Sequence, residues 1–156
     1  MIIKLRQFFD QYIFIEDQVN EQVTEHHLQV ACAALMIEVL YADHKFEQDE
    51  LEVLRTALQD AFELTGPEAD ELIRLAEAEI EQATDYYQFT ALINEFYTQQ
   101  QKRELVTRLW QMAYADFKIH KFEEHLVRRL ADLLHVPHSA FIQSKHRASA
   151  DSRTRD

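Results

Sequence analysis

Three features predict an all-α fold: a scarcity of chain-breaking residues, apolar residues at helical spacing, and a passage that occurs twice. Only 1 Gly and 2 Pro stand among 156 residues, whereas the strong helix formers Leu, Ala, Glu and Gln abound. Apolar side chains recur every three or four positions, the period of a helix with one buried face. Tyr41-Ala42-Asp43-His44-Lys45-Phe46, followed by Glu50 and Arg55, returns 73 residues later as Tyr114-Ala115-Asp116-Phe117-Lys118-Ile119, followed by Glu123 and Arg128. A core needs hydrophobic residues at repeated places, but it does not need an Asp and a Glu seven apart in both. The prediction is a compact bundle of about seven to eight helices with an internal pseudo-twofold repeat. It forms one domain over residues 1–145, with repeat cores near 28–80 and 101–145 and a polar, disordered tail over 146–156.

The elements follow in order. Ile2, Leu5, Phe8, Phe9, Tyr12 and Ile13 lie near helical spacing and predict an N-terminal helix docked on the core. Its few basic residues weigh against a membrane-surface helix. The acids from Glu16 to Glu25 mark a solvated link or a helix start. Leu28, Cys32, Leu35/Met36 and Val39/Leu40 form an apolar stripe that runs into the first acidic turn. Leu51, Leu54, Leu58 and Phe62 carry the next stripe. Thr65-Gly66-Pro67-Glu68 is punctuation, with Thr65 as a cap and Pro67 in a first helical turn. Ala69, Leu72, Ala76 and Ile80 make another helix, and a change of direction near 84–87 precedes one with Phe89, Leu92/Ile93 and Phe96. Leu105, Leu109 and Met112 lead into the second acidic turn, and Leu126/Val127, Leu130 and Leu134 follow it. Pro137-His138-Ser139 opens a short helix with Phe141 and Ile142.

Composition narrows the function. A hydrophobic fraction of 47% supports a sizeable core, and the length suits one domain. The net charge of −12 is uneven: residues 1–100 hold 5 Lys/Arg against 21 Asp/Glu, and residues 101–156 hold 11 against 7. An acidic majority repels phosphate backbones, so no nucleic-acid partner is expected. The single cysteine, Cys32, excludes an internal disulfide and favours a reducing, cytoplasmic location. No stretch is long and apolar enough for a membrane span, and the start lacks the apolar core of a secretion signal.

The acidic turns are the candidate sites. Seven residues of continuous helix would hold Asp43 and Glu50 about 10 Å apart, but a chain reversal between them can bring both carboxylates to one cation. Asp116 and Glu123 permit the same arrangement, and a pseudo-twofold axis near both turns would bring all four together. Glu47 is an auxiliary candidate in the first turn, and His120 replaces it in the second. Oxygen donors suit Ca²⁺, Mg²⁺ or Mn²⁺, and the histidine makes the second turn the softer one, open to Zn²⁺. The same residues could instead serve the fold, the Asp as a cap and the Glu in favourable contact with the helix dipole. The turns lack the alternating ligands and central glycine of an EF-hand. There is no phosphate-binding glycine loop, no HExxH helix and no persuasive nucleophile–His–Asp set.

On these residues the chain resembles the TerB-like family, named for the bacterial tellurite-resistance protein B. The resemblance covers most of residues 25–145 and centres on Ala42-Asp43, Phe46 and Glu50, then Ala115-Asp116, Ile119 and Glu123. It implies a compact helical fold with internal pseudo-twofold symmetry, and divalent-cation ligand roles for Asp43, Glu50, Asp116 and Glu123. It also implies metal-stress or envelope-associated assemblies, with a protein partner that can be membrane-associated, a cytoplasmic place peripheral to the inner membrane, and scope for a homo-oligomer. It supplies no enzyme. Family turns usually place glycine after the Asp, where this chain has His44 and Phe117, which implies altered turns or tolerated local strain. Two other readings stand beside it: a metal-independent interaction scaffold whose turns are only caps, and a metal-assisted phosphoester hydrolase.

Overall fold

A computed structural model describes residues 17–42, 48–114 and 121–154, with side chains over 24–42, 50–114 and 124–149. Seven helices occupy the described residues: α1 (Asp17–Tyr41), α2 (Gln48–Phe62), α3 (Gly66–Gln82), α4 (Tyr87–Phe96), α5 (Gln99–Ala113), α6 (Lys121–Leu133) and α7 (His138–Thr154). The protein is an all-α bundle. The N-terminal segment, for which the sequence predicts a docked helix, lies outside the described residues.

Local chemistry explains the helix ends. The Thr65 hydroxyl accepts from the Glu68 N–H at 3.2 Å, and the Glu68 carboxylate accepts from the Thr65 N–H at 2.9 Å, a reciprocal cap on α3. Thr98 and Gln101 repeat it on α5 at 3.2 and 2.8 Å. Each box satisfies two N–H groups that a helix start leaves without partners. Ala83 closes α3 in extended conformation, at the predicted change of direction near 84–87, and Tyr97 closes α4 in the same way.

α1 is the axis of the fold and packs against α2, α3, α4, α5 and α6. The sequence predicts a stripe on this helix, but burial covers every side of it: Val30, Ala31, Ala33, Ala34, Leu35, Ile37 and Val39 are all at most 3% exposed. A helix apolar all round belongs inside a core, and the small Ala31, Ala33 and Ala34 let its neighbours approach closely. Of the acids from Glu16 to Glu25, those from Asp17 onward belong to the helix itself, since α1 starts at Asp17.

The packing is reciprocal. α1 meets α2 and α3 as α5 meets α6 and α7, and across the molecule α2 touches α5 while α6 touches α1. α2 begins at Gln48 and α6 at Lys121, the offset of the sequence repeat. Arg55 and Arg128 have related duties: each joins the second helix of its copy to the third. Arg55 Nη2 donates to Asp70 Oδ2 at 3.1 Å, and the Arg128 guanidinium lies 5.9 Å from the Phe141 ring centroid. The only glycine, Gly66, lies beneath Arg55, and a Cβ there would stand 2.6 Å from Nη2.

The C-terminal end departs from the sequence prediction. The expected short helix and polar tail are one 17-residue helix, α7, reaching Thr154. Phe141, Ser144 and Ala148 are buried, and Lys145 lies over the Trp110 ring at 5.3 Å. Spacing of three and four residues puts them on one face against α5. The segment reads as polar because only small or amphipathic side chains meet the core.

Candidate functional site

The two acidic turns occupy equivalent places, between α1 and α2 and between α5 and α6. Asp43, Glu47, Asp116 and His120 lie outside the described residues. Glu123 is the third residue of α6, and its side chain also lies outside them. Glu50 is described: it is the third residue of α2 and only 6% exposed. A carboxylate in a first turn meets the positive end of the helix dipole. A buried charge needs a partner, and Glu50 is not without one. Among the described residues, no group of three or more His, Cys, Asp or Glu side chains is arranged to hold a metal.

The surroundings of the turns differ in charge. α1 ends beside Glu38, Tyr41, Glu77 and Tyr86. Burial raises the Glu38 carboxyl above its ordinary range, opposed by a hydrogen bond with Tyr86. Burial and the nearby Glu77 and Glu38 charges push the Tyr41 phenol up. At the second turn, Lys145 Nζ lies 3.1 Å from Glu124 Oε1, next to Glu123 in sequence. Tyr114, the counterpart of Tyr41, has its ring centroid 6.3 Å from that of Trp110. The end of α1 is therefore flanked by Glu38 and Glu77, with Arg129 acting on Tyr86 beside them, and the second turn by an acid paired with a lysine.

A feature that the sequence does not flag lies elsewhere. The middle of α1, the C-terminal ends of α2 and α4 and the first half of α5 enclose a cleft of about 720 Å³. Leu28, Cys32, Met36 and Leu105 lie along it with Glu25, Asp60, Glu104 and Arg108. A second cavity of about 610 Å³ continues between α2 and α5 and shares Asp60, Glu104 and Arg108 with the first. In sequence these charges look like ordinary solvated helix faces. The packing of α2 beside α5, not any motif, gathers them.

The tellurite resistance protein TerB family matches residues 29–146, most of the chain. The chain belongs to the TerB family. The match begins within α1 and ends within α7, so it includes both acidic turns of this TerB domain and the helices that frame them. No curated protein and no solved structure matches the chain. No helix among the described residues of the TerB domain is long and apolar enough to cross a membrane.

Proposed function

We propose that this TerB-family chain is a divalent-cation-binding domain whose bound state is read by a protein partner. Asp43 and Glu50 hold one ion, with Glu47 as auxiliary, and Asp116 and Glu123 hold the other, with His120 as auxiliary. The observation that carries this reading is Glu50, a buried carboxylate opening α2 directly after the first acidic turn, with Glu123 at the same helical position of α6. The donor set is hard oxygen, suited to Ca²⁺, Mg²⁺ or Mn²⁺; the histidine of the second turn extends the choice there to Zn²⁺. The acids flanking the end of α1 favour the first turn as the tighter site, and a cation there would fix α1 against α2. A membrane-associated assembly suits such a module, which would join it through its partner.

Isothermal titration of chelated protein with Ca²⁺, Mg²⁺, Mn²⁺ and Zn²⁺ tests the reading. Saturable binding is expected, with the tighter step lost in Asp43→Asn and the weaker in Asp116→Asn. Binding unchanged in both variants removes these residues as ligands. The alternative is a metal-independent scaffold. It draws support from Arg55 and Arg128, polar residues repeated in both copies whose described contacts join helices of the bundle.

A further inference from the structure

The two copies differ in what fills the groove between them. α4 packs on both α1 and α6. Asn94 Nδ2 donates to the Leu133 carbonyl at 2.8 Å, and just beyond α4 Gln99 Nε2 donates to that of His135 at 3.1 Å. α1 and α6 are the counterparts of α5 and α2, so the matching groove on the other side lies between α5 and α2. A residue with positive φ follows each of α2 and α6, Glu63 at 55° directly after Phe62 and His135 at 59° two residues after Leu133. By the 73-residue offset Leu133 corresponds to Asp60, which lines the 720 Å³ cleft. No described helix fills that cleft.

The chain holds a match for α4 ahead of the first core helix, 11 residues upstream of the place that the 73-residue offset gives. Ile2, Ile3, Leu5, Phe8, Phe9, Tyr12 and Ile13 have the spacing of Tyr86, Tyr87, Phe89, Leu92, Ile93, Phe96 and Tyr97. Asp10 falls opposite Asn94 in that register. We propose that residues 2–13 are the counterpart of α4 and seat their apolar side in the cleft between α2 and α5, so that each copy's leading segment covers the groove of the other.

The dimensions agree. Glu52 to Phe62 on α2 and Gln101 to Gln111 on α5 bound the two joined cavities, each a rise of about 15 Å. The ten residues of α4 have the same length. The segment ends at the start of α1, whose Thr24, Glu25 and Leu28 form one end of the cleft, about three helical turns further on. The charges on both sides are mixed: the joined cavities present Glu25, Glu52, Asp60 and Glu104 with Arg108 and Arg147, and the segment carries Lys4 and Arg6 with Asp10. The docking rests on the helix repeat and not on metal binding.

The test is paramagnetic broadening in the full chain, with a nitroxide on Gln7→Cys. Cys32, 1% exposed, stays unlabelled. The Asp60, Gln101, Glu104 and Arg108 amides are expected to lose intensity severalfold, while those of Asp70 and Arg74 on α3 keep theirs. Adding Phe8→Asp and Phe9→Asp is expected to restore the lost intensity without loss of helix by circular dichroism. A full-intensity cleft in the labelled chain, or broadening spread evenly over the protein, overturns the proposal. Hydrogen exchange on unlabelled protein gives an independent reading: peptides spanning 52–62 and 101–111 are expected to exchange faster in the doubly substituted chain. Equal exchange with and without those substitutions also overturns it.

Discussion

The Cys32 thiol donates to the Tyr97 hydroxyl oxygen across 3.5 Å, tying the middle of α1 to the link between α4 and α5. Burial pushes the thiol up to about 12, against a small opposing effect of the Tyr97 bond. Tyr97 is also raised, first by burial and then by Cys32. Both groups keep their protons at neutral pH, and the thiolate is the reactive form. Cys32 in native protein is therefore expected to react with a maleimide far more slowly at pH 7.5 than in denaturant. Tyr97→Phe should cost no more than about 1 kcal/mol, since a thiol is a weak donor. The sign on the alkaline side follows: the folded thiol holds its proton to higher pH than an unfolded one near about 8.5, so stability falls as pH rises between those values. Fast native labelling would contradict this account.

The two capping boxes give a matched pair of substitutions. Thr65→Ala and Thr98→Ala each remove a hydroxyl that accepts the N–H three residues on. Each should lower stability by about 1 kcal/mol, seen as a shift in the denaturant midpoint at constant slope. Only the first box depends on an ionised group: the Glu68 carboxyl is held below its usual range by the Thr65 backbone N–H. In Glu68→Gln, the acid sensitivity of the first box should disappear, leaving it as indifferent to pH as the Gln101 box.

These caps show what a sequence can and cannot reveal. Thr65-Gly66-Pro67-Glu68 is legible because a cap, a glycine and a proline coincide; the box at Thr98 stands in a glutamine run with no such contrast. The helix order, the break near 84–87 and the 73-residue repeat are equally legible, because they depend on local spacing. Burial on all sides of α1 is not, because it depends on five neighbours. Nor is the cleft, since Glu25, Asp60 and Arg108 meet only through tertiary packing. Of the proposed ligands, Glu50 is seen to be buried at a helix start, while the placement of both Asp side chains falls outside the described residues.

His27 predicts a weakness in acid. It is 5% exposed, and burial, with a smaller push from His26, lowers it to about 4. An unfolded histidine titrates near about 6.5. Between these values the unfolded state binds the extra proton, so the contribution is full above about 6.5 and is lost as pH falls towards 4. The loss should be on the order of 1–3 kcal/mol. Glu38 and Glu79 act in the opposite sense: burial raises both carboxyls, so acid relieves their desolvation as they protonate. Urea titrations from pH 7 to pH 4 should therefore show a shallower decline in His27→Gln than in the parent chain. Parallel declines would locate the acid sensitivity elsewhere.

The C-terminal end of α7 yields the sharpest test of the packing. Ser144 Oγ donates to the Arg103 carbonyl at 3.4 Å, Lys145 pairs with Glu124, and Ala148 is 0% exposed. A polar tail would tolerate any substitution at position 148. A helix face seated on α5 would not, because the methyl group of Ala148 fills space that a carboxylate can enter only by leaving water or by prising the helix away. Ala148→Asp should therefore cost at least about 2 kcal/mol, the range for burying an uncompensated polar group. Removal of residues 148–156 should lower the thermal midpoint for the same reason. His146→Ala and Arg147→Ala, at exposed positions flanking this face, should each stay within about 0.5 kcal/mol of the parent. Helical residues three and four apart share a face, so the contrast between position 148 and its neighbours separates loss of packing from a general dislike of change near the terminus. If Ala148→Asp is as mild as the flanking substitutions, α7 stops contributing to the core before that residue.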